Sequence, residues 1–192
     1  MALVKISELS AISTIAATDV LPIVDISESL TNKITIAQIG LALDQPHLMQ
    51  VDTTDQAIAN VTLAQVITFN TDAISSGITR TTSSRFTVPT AGTYLISFSG
   101  ICTGVINKQI EVWLRVSGTD VDNSNTIYPF KSTGISAIVS VTFLQEFTAN
   151  QYFEFWTSGS DTGNKWDATA AGVTPTRPAC PSIIMTCHRV GA

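Results

Sequence analysis

Charge is scarce in this sequence. Asp, Glu, Lys and Arg make up 13% of its 192 residues, about half the share usual in a soluble protein, so much of its surface has to be closed by other means. The ten basic residues are scattered and outnumbered by fifteen acidic ones, for a net charge of −5. That excludes nucleic acid as the main partner, because phosphate contacts need clustered Lys and Arg. Histidine occurs only at His47 and His188. With no His-Glu-x-x-His, Walker glycine loop or Cys-x-x-Cys, catalytic triads and metal centres have little to build on. We expect no enzyme activity, no catalytic residue, no cofactor and no metal ligand. No apolar run approaches the roughly 20 residues of a membrane-spanning helix, and no basic stretch with an apolar core follows Met1. The expectation is a chain neither secreted nor membrane-inserted. Three cysteines cannot all pair within one chain. Cys180 and Cys187 would stand about 23 Å apart in an extended segment, against a Cα limit of about 7 Å. Buried reduced thiols are the expectation, with a Cys102–Cys187 bridge across neighbouring strands left open.

Aromatic residues are absent from the segment Leu3 to Leu43, which makes it a poor independent core. Within it, Leu21-Pro-Ile-Val-Asp25 reads as extended, because Pro22 lacks a donor and restricts its predecessor. Thr35-Ile-Ala-Gln38 fits a capping box, and Ile39 with Leu43 makes an apolar i, i+4 pair, which predicts a short helix over 36–43. We read residues 1–43 as an attachment segment, 44–47 as a linker around Pro46, and 48–192 as the main domain.

What is abundant is Thr, Val and Ile, residues that favour sheets, and from Leu48 onward the pattern alternates with a period of two. In Tyr94 to Cys102, Tyr94, Ile96, Phe98 and Cys102 share one face. In Ile110 to Val116 the even-numbered residues point one way, and Glu111, Trp113 and Arg115 the other. Further strands are predicted at 137–147, 151–157 and 182–190. Turns at Pro89–Gly92, Ser117–Asp120 and Ser158–Gly163 complete the spacing of an all-β sandwich or jelly roll. Trp113, Tyr152 and Trp156 fall opposite the inward residues of their strands. They are isolated surface residues, or loops of the chain cover them, or another subunit does; our reading is a subunit interface.

The run Arg85 to Phe98 carries Phe86, Val88, Pro89, Gly92 and Tyr94 in the spacing Phe-x-Val-Pro-x-x-Gly-x-Tyr. It resembles the signature of C1q/TNF-like jelly rolls, over roughly residues 54–190. That resemblance implies a ten-strand-type jelly-roll sandwich assembling as a homotrimer. The segment with Ile6 to Leu9, Asp19 to Asp25 and Thr31 to Ile39 resembles one found at the start of bacteriophage tail, head-fibre and decoration proteins. It implies a short mixed N-terminal segment that docks to other virion proteins through Leu21, Pro22, Ile23, Val24, Ile34 and Ile36. Together they imply a virion structural protein on the particle exterior: a short trimeric fibre, knob or decoration on head, collar or tail, assisting host attachment. The alternative is a free-standing trimeric lectin that binds a glycan or receptor.

For ligands, the loops 123–132 and 158–181 are the natural display surfaces. Trp166 and Arg177 are the candidate ligand residues of the second, where an indole stacks on a sugar ring or else packs under its own loop. Paired carboxylates among Asp52, Asp55 and Asp72, or Asp161 and Asp167, are the material for a glycosidase, and we read them as solvated loop acids. Asp120 to Asn125 looks like a calcium loop but has Asn125 where the EF-hand needs Gly and Lys131 where it needs a bidentate Glu.

Overall fold

The computed structural model describes residues 16, 18, 20–25, 30–35 and 45–191. The chain divides into two compact units, Met1–Asp44 and Gln45–Ala192.

In the first unit, β1 (Val20–Asp25) and β2 (Leu30–Thr35) form an antiparallel hairpin with Leu21 opposite Ile34. The extended reading of Leu21 to Asp25 therefore holds. The helix expected over 36–43, and Ile36 with it, lie outside the described residues.

The second unit is built of β3 (His47–Asp52), β4 (Gln56–Ala57), β5 (Gln65–Val66), β6 (Thr71–Ser76), β7 (Thr79–Arg80), β8 (Phe86–Thr87), β9 (Gly92–Thr103), β10 (Gln109–Val116), β11 (Thr119–Asp120), β12 (Thr126–Pro129), β13 (Ala137–Phe147), β14 (Tyr152–Gly159), β15 (Lys165–Trp166), β16 (Gly172–Val173), β17 (Thr176–Arg177) and β18 (Ile183–Gly191). The first sheet runs β11-β10-β14-β8-β7, with β12 on β10 and β5 on β14. The second runs β4-β15-β9-β18-β3-β6, with β13 on β9. The long strands fall where alternation predicts them.

Inward residues of both sheets make one core. Phe86, Phe153 and Phe155 come from the first sheet and Tyr94, Phe98 and Trp166 from the second, all fully buried. Phe86 meets Phe153 at 5.4 Å within the first sheet, Phe98 meets Trp166 at 5.3 Å within the second, and Phe98 meets Phe155 at 4.9 Å between them, distances at which tilted and edge-on rings attract. The Phe86 to Tyr94 motif enters this core. Gly92 has φ +143°, and a Cβ there would sit 2.4 Å from the Gly191 carbonyl oxygen, so only glycine fits. The Tyr94 hydroxyl donates to the Thr90 carbonyl at 2.9 Å and closes the turn.

Two expectations are corrected here, and one open alternative is closed. His47 is no linker residue: it opens β3 and pairs in register with His188. Cys187 stands opposite Ile96, six residues along β9 from Cys102, a separation of about 20 Å, so the open Cys102–Cys187 bridge is excluded by distance. All three thiols are free, and Cys180 is exposed rather than buried.

Candidate subunit interface

The outer face of the second sheet follows from strict alternation. Since Ile96, Phe98 and Cys102 on β9, Met185 and Cys187 on β18, and Leu48 on β3 point into the core, their neighbours point out. The registers align these neighbours in rows across the sheet. One row is Leu144, Leu95, His188, His47 and Ser76; the next is Thr142, Ser97, Thr186, Met49 and Ile74; a third is Ser140, Ser99, Ile184 and Val51; Ile138 with Ile101 completes the face. No Asp, Glu, Lys or Arg occurs in these rows. Ile138 is 70% exposed, Leu144 68% and Ile74 56%. An uncharged face of this breadth with large aliphatics at both margins has the character of an interface core, where charge is depleted.

Trp113, Tyr152 and Trp156 lie on the opposite side of the molecule, on the outer face of the first sheet, where Trp113 and Trp156 are cross-strand partners. The structure brings the three together, with a cover drawn from the same chain. The Arg115 guanidinium stacks 3.9 Å from the Trp156 ring centroid, and that of Arg85 stands 4.3 Å from the Tyr152 ring. Asp120 Oδ1 accepts from both Trp113 Nε1 and Arg115 Nε at 2.7 Å. That bond lowers the Asp120 pKa and raises that of Arg115. Buried Glu154 accepts from Arg85 Nε and Ser84 Oγ at 3.1 Å and from Trp156 Nε1 at 3.4 Å. All three aromatics are half-buried. Each ring is thus covered in part by its own chain and faces outward with the rest.

Of its two alternatives, Trp166 takes the packed one. It is fully buried, it pairs with Cys102 across β15 and β9, and its Nε1 donates to Thr157 Oγ1 at 3.2 Å. No sugar reaches it. Arg177 is exposed on the β16–β17 hairpin, where its stem crosses Gly172. The aromatic surface beside polar groups lies elsewhere, in a groove of about 320 Å³ lined by Trp113 with Glu111, Asp120, Asp122, Asn123 and Asn125. The outward position of Trp113 was the sequence signal for it.

The acids weighed for glycan cleavage have structural partners. Asp52 Oδ1 accepts from Thr54 N at 2.8 Å and Thr54 Oγ1 at 2.6 Å. Lys165 Nζ bridges Asp55 at 2.6 Å and Asp167 at 2.8 Å, Arg80 holds Asp72 at 2.8 Å, and Asp161 caps Gly163 N at 2.9 Å. The Lys165 bond lowers the Asp55 pKa, the wrong direction for a general acid. Among the described residues no group of three or more His, Cys, Asp or Glu is placed to hold a metal ion, and no helix is long and apolar enough to cross a membrane.

Two sheets of this topology, closed over an aromatic core, match solved structures over about three quarters of the chain. Murine APRIL, a TNF-family protein, superposes with TM-scores of 0.50 and 0.51 in structures at pH 8.5 and pH 5.0, at 9% and 8% identity, covering 77% of this chain and 100% of the other. The fold is a C1q/TNF-like jelly roll. The globular domain of zebrafish complement 1qA matches at TM-score 0.49 and 13% identity, over 76% of this chain and 96% of its own. No family model and no curated protein matches the chain.

Proposed function

We propose that this chain is a non-enzymatic structural module that assembles as a homotrimer through the outer face of the second sheet and serves on the exterior of a bacteriophage particle. It would stand there as a short fibre, knob or decoration on head, collar or tail, assisting host attachment. Residues 1–43 dock it to neighbouring virion proteins, with Leu21, Pro22, Ile23, Val24 and Ile34 on the β1–β2 hairpin and Ile36 after it as the docking residues. The observation that carries the assembly is the uncharged face from Ile138 to Ile74. The virion role is supported by the resemblance of the N-terminal segment to phage attachment segments. On this reading the full chain co-purifies with assembled particles, while a chain lacking residues 1–43 stays in the supernatant as a trimer. A full chain that never co-purifies overturns the particle role.

A free-standing glycan- or receptor-binding trimer is the second reading, and the Trp113 groove favours it. An indole beside carboxylate and amide groups suits a sugar, whose apolar ring face stacks while its hydroxyls hydrogen-bond. Binding to a glycan panel that survives deletion of residues 1–43 and disappears with Trp113→Ala supports this reading, and an empty panel removes it.

A further inference from the structure

We propose that His47 and His188 form a proton-sensitive element that loosens the trimer as pH falls below neutrality, an inference that rests on the assembly through the second sheet proposed above. The chain has only these two histidines. The fold sets them directly opposite each other on β3 and β18, in a row that holds no other ionisable group, with Arg189 and Glu146 at its rim. Directly opposed side chains in an antiparallel pair stand about 5 Å apart at Cβ, where like charges repel.

The surroundings offer little compensation. Across β6 the neighbour of His47 is Ser76, and across β9 the neighbour of His188 is Leu95, followed by Leu144 on β13. His47 Nδ1 donates to the Gln45 carbonyl oxygen at 2.9 Å. Arg189, bonded to the Ala91 carbonyl and to Gln45 Oε1, adds positive charge at the same end. Glu146, opposite Thr93 at the rim of β13, is the acid that shares this face.

In the separated chain, His188 is exposed, and water solvates a proton on an open imidazole. In the assembled face, the same proton has to be carried by a covered imidazole beside a second one, which disfavours the charged form. The separated chain therefore binds more protons, and by linkage acid shifts the equilibrium toward it. Imidazole titrates between roughly pH 5 and 8 while ordinary carboxylates titrate near pH 4, so a step from pH 7.5 to 5.5 isolates the histidines.

The test is sedimentation of the full chain at both pH values, with far-UV circular dichroism to establish that it stays folded. The readout is the ratio of the trimer dissociation constants at pH 5.5 and pH 7.5. Wild type should show a ratio of about tenfold or more, and His47→Gln/His188→Gln should show a ratio near one whatever its affinity at pH 7.5. Should the double variant misfold, His188→Gln, at an exposed position, should give a ratio between the two. A trimer of equal strength at both pH values overturns the inference and leaves the assembly standing, as does equal weakening in wild type and variant. A monomer at pH 7.5 overturns both.

Discussion

The Trp166 indole lies flat against the backbone of Gly100. A Cβ built on Gly100 would stand 2.6 Å from ring carbons Cε3 and Cζ3, well inside van der Waals contact. The close approach brings Trp166 under β9 and into edge-on contact with Phe98. Gly100→Ala should therefore destabilise the fold by about 1–3 kcal/mol through overpacking, lowering Tm by several degrees. The loss should shrink in the Trp166→Leu background, where the ring is gone. Equal losses in the two backgrounds, read by thermal unfolding, would sever the link between these residues.

Thr157 holds the other edge of that indole. Its hydroxyl accepts from Trp166 Nε1 at 3.2 Å and donates to the Glu111 carbonyl at 2.7 Å, a relay inside the core. Thr157→Val keeps the shape and strands both partners, at a cost of about 1–3 kcal/mol. Thr157→Ser keeps the relay and should recover most of the loss. Denaturant midpoints of the three proteins decide the matter.

The thiols should divide by burial. Desolvation pushes the Cys102 thiol up to about 11 and raises that of Cys187 further, while Cys180 is exposed. A thiol-reactive dye at pH 8 should label Cys180 promptly in the folded protein and reach Cys102 and Cys187 only after unfolding, since the thiolate is the reacting species. Prompt labelling of either buried cysteine would contradict the packing of the second sheet.

Arg115 covers Trp156 on the face away from the proposed interface. Arg115→Ala should raise acrylamide quenching of tryptophan fluorescence. The oligomeric mass should stay the same, because that guanidinium shields a ring within its own chain. A loss of assembly in this variant would return Trp113, Tyr152 and Trp156 to the interface.

The sequence was most legible where one segment carries its own pattern. Tyr94 to Cys102 and Ile110 to Val116 announce their inward faces by alternation. Phe86 to Tyr94 announces its turn because Gly92 has no room for a side chain. Trp166 kept two readings because β15 is two residues long and has no periodicity to show which way the ring points. Its placement depends on Thr157 and on Gly100, the latter distant in sequence. The same holds for Trp113, Tyr152 and Trp156. Alternation sets them outward, but the guanidiniums that cover Tyr152 and Trp156 arrive from elsewhere in the chain, Arg85 just before β8 and Arg115 on β10. The uncharged face escaped notice for a different reason: Ser, Thr and aliphatic residues are ordinary at outward strand positions, and only the alignment of β13, β9, β18, β3 and β6 gathers them. His47 and His188 became neighbours by the same alignment.

The central claim is that the second sheet, from Ile138 and Leu144 across to Ile74, joins three copies of the chain. Light scattering of the full chain at pH 7.5 tests it most directly, beside the variant Ile138→Asp/Leu144→Asp, whose two charges fall on exposed positions of a folded monomer. The account predicts three times the 20.5 kDa chain mass for the wild type and a single chain mass for the variant, with unchanged circular dichroism. A monomeric wild type, or a variant that remains trimeric, would contradict it.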